Sequence, residues 1–342
     1  MTINIQKYFK FNDKLKPLII AEISANHCGK KSLFLKSIKS AARNGADLIK
    51  IQTYEPGDIT INRSLNIKNW NKKKVWKLYT KAQTPYKWHY DAFKLAKKLN
   101  VELFSTPFSA RAVDFLIKMN VKLFKISSFE INDFSLIRKI AKTRKPIILS
   151  TGMASLDEIK DCISEIQKFH KKIILLHCVS GYPTPDHEAN LNRILSLRKY
   201  FKSINIGLSD HTNDIISSIN SIPLGAKVIE KHFILSRNLK SLDRNFSITP
   251  KQLKDLSIFT KKTFLSLGDG KFRIQKNEKK SVKFRRSIFS IKDIKKGERL
   301  SQNNISTFRP VVGLSAKYYF KVLGKKIKKN IRAYSPIYSS YL

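Results

Sequence analysis

Eight short apolar runs, each followed by a stretch with helical periodicity, constrain the fold of this 342-residue chain more than any other feature. The runs are continuous in hydrophobicity rather than alternating, which is typical of parallel strands that are covered on both faces. They lie at Pro17–Ser24, Ala46–Gln52, Val101–Thr106, Val121–Ser127, Pro146–Ser150, Ile173–His177, Ile204–Ser209 and Ala226–His232. Eight strand–helix units in roughly 260 residues match the size and rhythm of a (β/α)8 TIM barrel. A doubly wound open sheet is the alternative fold, but no glycine-rich phosphate-binding fingerprint follows the first run.

The strand–helix pattern stops after Thr263. Gly268-Asp-Gly270 and the basic polar residues that follow predict a linker over residues 264–283. Residues 284–342 contain short strand-like pieces and turn signals such as Lys296-Gly297. We therefore expect a TIM-barrel domain over residues 1–263, the linker, and then a small β-rich domain.

Local signals mark the starts of three helices between the predicted strands. Ser155 and Glu158 have the spacing of a capping box, in which each side chain satisfies the other residue's free backbone amide. Thr84 and Thr249 each precede a proline, which places a capping residue before a proline at the first helical position. A longer insertion, residues 55–83, separates the second predicted strand from its helix.

The formal net charge of +42 requires nucleic-acid binding to be considered. The lysines are spread along nearly every segment and no arginine-rich run carries the excess, so we interpret the charge as a solvated surface and expect no nucleic-acid partner.

The cysteines, Cys28, Cys162 and Cys178, show no paired spacing, which favours a reducing compartment. No apolar stretch has the length of a signal peptide or a membrane span, so we expect a cytoplasmic protein with no membrane partner.

Polar side chains follow every one of the predicted strands at its C-terminal end. In chain order they include Glu22, Asn26, His27, Lys50, Gln52, Ser105, Thr106, Lys125, Ser127, Ser128, Glu130, Ser150, His177, Tyr182, Ser209, His211, Glu230 and His232. The active sites of TIM barrels lie at this face, so these groups are expected to converge on one mouth. Helix capping explains a few of the hydroxyls but not polar groups at all the strand ends together.

Two lysines and several hydroxyls within this ring predict an anion site. Lys50 and Lys125 stand near strand ends, and small hydroxyl donors of this kind suit phosphate oxygens. The hydroxyls are those of Thr106, Ser128, Ser150 and Ser209. The alternative for either lysine alone is a side chain that reaches solvent.

His211 and His232 stand at the ends of the last two predicted strands, beside Asp210 and Glu230. Neutral imidazoles flanked by carboxylates suit a divalent metal that keeps open positions for water and substrate. The alternative is a pair of hydrogen-bonded barrel histidines. No HExxH or CxxC motif decides between these interpretations, so the fold must supply the geometry.

Several motifs in the same order resemble those of the sialic acid synthase family. They are Ala21-Glu-Ile-Ser-Ala-Asn-His27, Ser105-Thr-Pro-Phe108, Lys125-Ile-Ser-Ser-Phe-Glu130, Ser150-Thr-Gly-Met153, Ser209-Asp-His-Thr212 and Glu230-Lys-His-Phe233. Phe284-Arg-Arg-Ser287 and Phe308-Arg-Pro310 resemble the family's C-terminal antifreeze-like (SAF) domain. The resemblance implies an enzyme that condenses phosphoenolpyruvate with an amino-sugar aldehyde.

The resemblance also implies roles for individual residues. The phosphoenolpyruvate-binding positions are matched by Thr106, Lys125, Ser128, Ser150 and Ser209, with Lys50 nearby. The sugar-pocket positions are matched by Gln52, Glu130, Tyr182, Asp243 and Phe284. His211 and His232 match ligands of a manganese- or magnesium-type ion, and Glu22 matches a carboxylate beside the reacting carbons, so Glu22, Lys125 and the two histidines form the implied catalytic set. Arg309 matches an arginine that reaches the sugar site of the other subunit, which implies a domain-swapped homodimer.

Within the family, the resemblance is to the members that make pseudaminic acid from a 6-deoxy diacetamido sugar. Phe129 and Phe246 flank the sugar-pocket positions, and an aromatic face suits a methyl group better than a hydroxyl. Cys28, Ser180 and the Ser241-Leu-Asp243 segment depart from the family pattern. An N-acetylneuraminate or legionaminate synthase is the alternative, and a non-catalytic basic binding protein is a more distant one.

Overall fold

The computed structural model describes residues 4–62 and 72–342. The chain divides into two compact units, Met1–Gly268 and Asp269–Leu342, which are described separately. The first three residues of the predicted barrel domain, and residues 63–71 of the predicted insertion, lie outside the described residues.

The first unit is built on a closed barrel of eight parallel strands in the order β1 to β8. The strands are β1 Leu18–Glu22, β2 Leu48–Thr53, β3 Glu102–Pro107, β4 Phe124–Ile126, β5 Ile147–Ser150, β6 Ile173–Cys178, β7 Asn205–Asp210 and β8 Val228–His232. β8 closes the barrel by pairing in parallel with β1, with Glu22 beside His232. Each strand lies within or next to a predicted apolar run, and the TIM-barrel prediction is confirmed.

Helices follow the strands, and most of them cover the outside of the barrel. They are α1 Lys31–Arg43, α2 Pro56–Ile59, α3 Lys72–Ala82, α4 Tyr86–Lys98, α5 Ala110–Lys118, α6 Phe134–Lys142, α7 Leu156–Gln167, α8 Arg193–Tyr200, α9 Ile216–Asn220 and α10 Pro250–Ser266. Their apolar faces pack on the outward side chains of the strands, such as Ile49 and Ile229, and bury them completely.

The capping signals hold at two of the three predicted helix starts. Ser155 and Glu158 form the capping box of α7, and the Thr249 side chain caps α10. The prediction for Thr84 is wrong, because α4 begins at Tyr86 and Pro85 itself occupies the cap position. Trp88 N donates to Pro85 O at 2.8 Å, so the proline carbonyl starts the helix without help from the threonine side chain.

The N-terminal end of the barrel is filled by hydrocarbon. Inward side chains such as Ile20, Phe104 and Ile174 are fully buried there. A 3₁₀ helix, Ile5–Phe9, packs its apolar side chains onto this layer. The Asn205 side chain holds the segment in place by donating to the backbone carbonyls of Tyr8 and Lys10, each at 2.8 Å.

The second unit contains a two-stranded antiparallel sheet, β9 Ser287–Ser290 and β10 Ile305–Phe308. Isolated β-bridges and a core of its own, which includes Ile288, Leu300 and Ile327, complete it. A single short α-helix, α11 Tyr319–Val322, lies within it. The β-rich second domain is confirmed. In the segment predicted as a linker, α10 continues to Ser266 and a 3₁₀ helix spans Lys276–Phe284.

Among residues 4–62 and 72–342, no helix is long and apolar enough to cross a membrane.

Candidate active site

A cavity of about 430 Å³ lies at the C-terminal end of the barrel. Side chains from β1, β2 and β4 to β8, or from the loops directly after these strands, line it together with residues of α3. Ten of the predicted site residues are among the lining residues: Lys50, Gln52, Lys125, Ser128, Ser150, Tyr182, Ser209, His211, His232 and Asp243. The convergence expected from the strand ends is therefore present in the structure.

Two other predicted residues lie directly behind this lining. Glu22 is fully buried, and its Oε2 is 2.5 Å from Lys50 Nζ. Thr106 is also buried and accepts a hydrogen bond from Lys50 Nζ at 3.3 Å. Both residues thus reach the cavity through the Lys50 ammonium group.

A cluster of cations and hydroxyls occupies one side of the cavity. Lys125 Nζ donates to Ser150 Oγ at 2.5 Å, and both side chains are buried. Ser128 Oγ accepts the backbone N–H of Gly152 at 3.0 Å, and its hydroxyl group lies beside the Cys178 thiol at the cavity wall. A buried ammonium group beside small hydroxyl donors is suited to an oxyanion such as phosphate.

Glu230 balances the two lysines, and sequence reasoning gave it no role of its own. Its Oε1 lies 3.4 Å from Lys50 Nζ and 3.9 Å from Lys125 Nζ, and it accepts from Ser209 Oγ at 3.2 Å. Burial raises the pKa of Glu230, but Lys125, Lys50 and the two histidines outweigh burial and lower the pKa to about 2. Its Oε2 is buried without a hydrogen-bond partner among the described residues. The signal in the sequence was the two-residue spacing from His232, which puts both side chains on one face of β8.

The lysines differ in charge balance. Burial lowers the pKa of Lys125. Burial also works against the charge on Lys50, but the adjacent Glu22 and Glu230 outweigh it and hold the Lys50 pKa above its usual value. Burial raises the pKa of Glu22 itself. The charge of Lys125 is balanced less by nearby carboxylates than the charge of Lys50. An anionic ligand is therefore stabilised most by contact with Lys125.

His211 and His232 lie next to each other at the cavity wall, with ring centroids 5.4 Å apart. His211 Nδ1 is 2.8 Å from the Val179 carbonyl oxygen, and His232 Nδ1 faces Asp243 Oδ2 at 3.3 Å. The Val179 hydrogen bond favours the His211 tautomer with hydrogen on Nδ1 and a free lone pair on Nε2, and the nearby Asp243 carboxylate favours the same tautomer of His232 by charge. For neither ring does Nε2 have a hydrogen bond within the part of the chain that the structure describes.

This arrangement fits a divalent metal ion. Histidine ligands are generally oriented through their second nitrogen by a carbonyl or carboxylate, as Val179 and Asp243 do here. The described residues contain no group of three or more His, Cys, Asp or Glu side chains placed to hold a metal. The two imidazoles would therefore supply part of a coordination shell and leave the other positions to water or substrate.

Aromatic and apolar side chains form the outer part of the cavity. The Tyr182 ring lies 4.3 Å from the His211 ring, and the Phe246 ring lies 4.9 Å from the His232 ring, measured between centroids. Leu78 and Tyr79 of α3 add an apolar wall that sequence reasoning did not identify. Such a mixed surface can pack against a sugar ring and its acetamido methyl groups.

The remaining predicted sugar-pocket residues of the barrel differ in their position relative to the cavity. They are Asp243, Glu130, Phe129 and Phe246. Asp243 Oδ2 accepts the backbone N–H of Ala25 at 3.2 Å, so its carboxylate is fixed at the cavity. Glu130 bonds to the Ser127 hydroxyl, beside the cavity rather than in its lining. Phe246 is 5% exposed and lines the cavity, whereas Phe129 is 57% exposed and is not part of the lining.

The last two predicted site residues, Phe284 and Arg309, belong to the second unit. The Phe284 ring is about half exposed. Arg309 follows β10 and is joined to Pro310 by a cis peptide bond. Both residues remain predictions for the sugar site.

A closed parallel barrel whose mouth gathers buried lysines, hydroxyls, carboxylates and two histidines defines a TIM-barrel enzyme with an anionic substrate. Residues 37–272 match the NeuB family, and residues 285–341 match the SAF domain. The chain belongs to the NeuB family. The resemblance drawn from the sequence motifs is confirmed, and so is the conclusion that the protein is an enzyme.

Relatives match almost the full length of the chain. The pseudaminic acid synthase of Campylobacter jejuni is 42% identical over 94% of this chain and 95% of its own length. The pseudaminic acid synthase of Helicobacter pylori is also 42% identical, and the N,N'-diacetyllegionaminic acid synthase of C. jejuni is 39% identical. The crystal structure of N-acetylneuraminic acid synthetase from Leptospira borgpetersenii has a TM-score of 0.72 and 32% identity, covering 79% of this chain and 91% of that chain.

Proposed function

We propose that the protein is a pseudaminic acid synthase. It condenses phosphoenolpyruvate with the diacetamido-trideoxy-altrose aldehyde and water, and it releases pseudaminic acid and inorganic phosphate. The observation that carries the proposal is that one cavity holds the lysine–hydroxyl cluster, the histidine pair and the buried carboxylates together. The pseudaminic acid synthases of C. jejuni and H. pylori, each 42% identical to the chain, support this choice of product.

The lysine–hydroxyl cluster binds phosphoenolpyruvate. Lys125, Ser150 and Ser128 offer one ammonium group and two hydroxyls to its phosphate, and Lys50 and Thr106 approach from the neighbouring strands β2 and β3. Phosphate oxygens replace Ser150 Oγ as acceptors of the Lys125 hydrogens. The cost of burying the anion is offset because its cationic partners are already buried and oriented.

Glu22 acts on the reacting carbons. The methylene carbon of phosphoenolpyruvate attacks the sugar aldehyde, and positive charge develops at the carbon that carries the phosphate. Glu22 Oε1 is held by the backbone N–H of Ser24 at 2.7 Å and Oε2 by Lys50, so the carboxylate cannot turn away. It stabilises the developing charge or orients the water that adds there, after which phosphate leaves.

His211 and His232 would hold the divalent ion, of the manganese or magnesium type, through Nε2. When bound, the ion supplies Lewis acidity toward the aldehyde oxygen of the sugar. The part of the histidines is to present two lone pairs at a fixed separation, which Val179 and Asp243 maintain from behind.

The aromatic wall selects the sugar. A methyl group packs well against Phe246, whereas a hydroxyl buried there without a partner would cost roughly 1–3 kcal/mol. We assign this discrimination to the buried Phe246 and no longer to Phe129, whose side chain is exposed. Gln52, Tyr182 and Asp243 line the same cavity and offer polar contacts to the sugar.

The active form is a domain-swapped homodimer in the cytoplasm. Arg309 of one subunit completes the sugar site in the barrel of the other, with Glu130 and Phe284 contributing to the same sugar-binding region. This part of the proposal rests on the matched sequence positions and on the SAF-domain match over residues 285–341.

A legionaminate synthase is the second candidate, because a relative with that product is 39% identical to the chain. The discriminating experiment compares kcat/KM for the altrose precursor, the legionaminic precursor and N-acetylmannosamine, measured as phosphate released from phosphoenolpyruvate. We expect the altrose precursor to be used about ten- to a hundredfold better than N-acetylmannosamine, which carries a hydroxyl where the altrose precursor carries a methyl group. The legionaminic precursor carries the same methyl group, so the preference over it should be smaller and depends on the polar contacts of the cavity. Better use of either competitor would contradict the pseudaminic assignment and leave the synthase assignment intact. Loss of turnover in excess chelator tests the metal requirement in the same assay.

A further inference from the structure

The last two barrel strands carry a second set of charged residues on the face that points away from the cavity. Along β7 and the residues after it, Ser209 and His211 line the cavity, and Asp210 lies between them. Along β8, Glu230 and His232 line the cavity, and Lys231 lies between them. Successive side chains of a strand point to opposite faces, so Asp210 and Lys231 stand side by side behind the two histidines. We refer to Asp210 and Lys231 as the wall pair.

The wall pair is completely enclosed and saturated with contacts. Lys231 is 0% exposed and Asp210 is 2% exposed. Lys231 Nζ lies 3.0 Å from Asp210 Oδ2 and donates to the Thr212 carbonyl oxygen at 2.6 Å. Asp210 Oδ1 accepts from both Thr212 N and Thr212 Oγ1, and Oδ2 accepts from Ser218 Oγ at 2.5 Å.

Stability alone does not account for such a pair. Burying two opposite charges is no better for stability than well-packed hydrocarbon of the same volume, and it is often worse. What the wall pair does supply is fixed geometry. Asp210 ties residue 212 and α9 to the end of β7, and Lys231 ties the same residue 212 across to β8.

His211 and His232 lie at the two places that these bonds hold. In the chain, His211 lies between Asp210 and Thr212. Asp210 accepts a hydrogen bond from Thr212, and Lys231 contacts both of these residues. His232 directly follows Lys231 in β8. A shift of either strand end would change the separation of the two imidazole rings, and the wall pair resists that shift from outside the barrel.

We propose that Asp210 and Lys231 are positioning residues for the divalent metal site, and that they set the separation of His211 and His232. The proposal rests on the proposed function, because it takes these histidines as the metal ligands. Because the two charges neutralise each other, the pair gives this support without placing an uncompensated ammonium group behind a divalent cation.

The chain offers a matched control directly before the same strand. Lys227 directly precedes β8 at the opposite end of the barrel, is 5% exposed, and donates to the Asp13 carbonyl oxygen at 2.6 Å. Lys231→Met and Lys227→Met each remove one buried ammonium group from this part of the chain. They differ in whether the lost charge lies behind the histidines.

The test is calorimetric titration of the full-length, metal-free protein with Mn²⁺ alone, without either substrate. We expect Lys231→Met to weaken Mn²⁺ binding about ten- to a hundredfold relative to the native chain, the range typical for residues that orient metal ligands. Lys227→Met should bind Mn²⁺ as the native chain does, even though its melting temperature falls. Equal Mn²⁺ affinity in Lys231→Met and Lys227→Met would overturn the proposal, because the wall pair would then be only structural.

Two further measurements keep the test decisive. Should Lys231→Met fail to fold, Ser218→Ala removes one bond to Asp210 and leaves the ion pair, and it should weaken Mn²⁺ binding by a few-fold; unchanged binding would count against the proposal. The electron paramagnetic resonance spectrum of bound Mn²⁺ should change in Lys231→Met and not in Lys227→Met. Absence of Mn²⁺ binding by the native chain would contradict the metal site in the proposed function and this proposal together, whereas native binding with an unaffected Lys231→Met would contradict this proposal alone.

Discussion

The two ends of the barrel are made from the same eight strands and have opposite chemistry. At the N-terminal end, Ile20, Phe104 and Ile174 meet an apolar 3₁₀ helix and exclude water completely. At the C-terminal end, equally buried positions are occupied by Lys50, Lys125 and other ionisable groups. Burial is the same at both ends, so the difference lies in what is buried.

Hydrocarbon at one end contributes stability in proportion to the area removed from water. Buried charges at the other end cost free energy unless each has a partner. Here they are only partly compensated, because Glu230 Oε2 has no hydrogen-bond partner among the described residues. A bound substrate or metal ion would supply the missing partner for such a buried charge. One end of the barrel thus holds the fold together, and the other end uses that rigidity for chemistry.

The largest expected effect comes from the charged end. His232→Ala removes one of the two proposed metal ligands and should lower kcat by about a thousandfold or more, because the aldehyde then lacks its Lewis acid. The melting temperature should change by only a few degrees, which differential scanning calorimetry can check. Substantial turnover by this variant would contradict the assignment of catalysis to the charged end through His232.

The second effect extends the comparison to the second unit. Arg309→Ala should be inactive alone, because in the proposed domain-swapped dimer the sugar site of the partner barrel loses this cation. Mixing Arg309→Ala with His232→Ala chains should restore part of the phosphate release, since each hybrid dimer contains one intact site. No restoration, with subunit exchange verified by mass spectrometry, would indicate that each site is built within a single chain.

The third effect belongs to the apolar end. Ile174→Ala leaves a cavity in the hydrocarbon layer and should lower the free energy of unfolding by about 2–5 kcal/mol. The kcat/KM of the folded fraction should stay within about twofold of the native value, because no group of the mouth is touched. Urea unfolding and steady-state assays on the same sample measure both quantities. A large fall in kcat/KM would mean that the two ends are mechanically linked.

The smallest effect concerns the fastening of the N-terminal segment. Asn205→Ala removes two hydrogen bonds to the carbonyls of Tyr8 and Lys10 and should lower the free energy of unfolding by about 1–3 kcal/mol. Activity should be unaffected at temperatures below the transition. Amide hydrogen exchange at residues 5–9 should become faster; exchange at the native rate would show that apolar packing alone holds this segment.

The apolar end and the strand order could be predicted from the sequence, because a continuous apolar run leaves few choices for a strand covered on both faces. The site residues at strand ends followed from the fold, since parallel strands of a barrel bring their C-terminal ends to one mouth. Glu230 was undervalued because its role depends on its distances to two lysines from other strands, which no local pattern contains.

Two side chains show where local patterns fail. Phe129 lies between two site residues in the sequence, but Ser128–Glu130 forms a 3₁₀ turn. With three residues per turn, adjacent side chains point in different directions, and the Phe129 ring turns outward. Leu78 and Tyr79 reach the cavity through the α3 insertion, and helical periodicity alone does not say which face of an inserted helix will cover a site.

The most direct test of the central claim, that the charged end joins two substrates through a carbon–carbon bond, is nuclear magnetic resonance with phosphoenolpyruvate labelled with ¹³C at its methylene carbon. Incubation with the diacetamido-trideoxy-altrose precursor should move the label into the methylene position of a new sugar acid, with one phosphate released for each product formed. His232→Ala should leave the label in phosphoenolpyruvate. Release of phosphate with the label recovered in pyruvate, or no consumption of phosphoenolpyruvate by the native protein with any of the three sugars, would contradict the account.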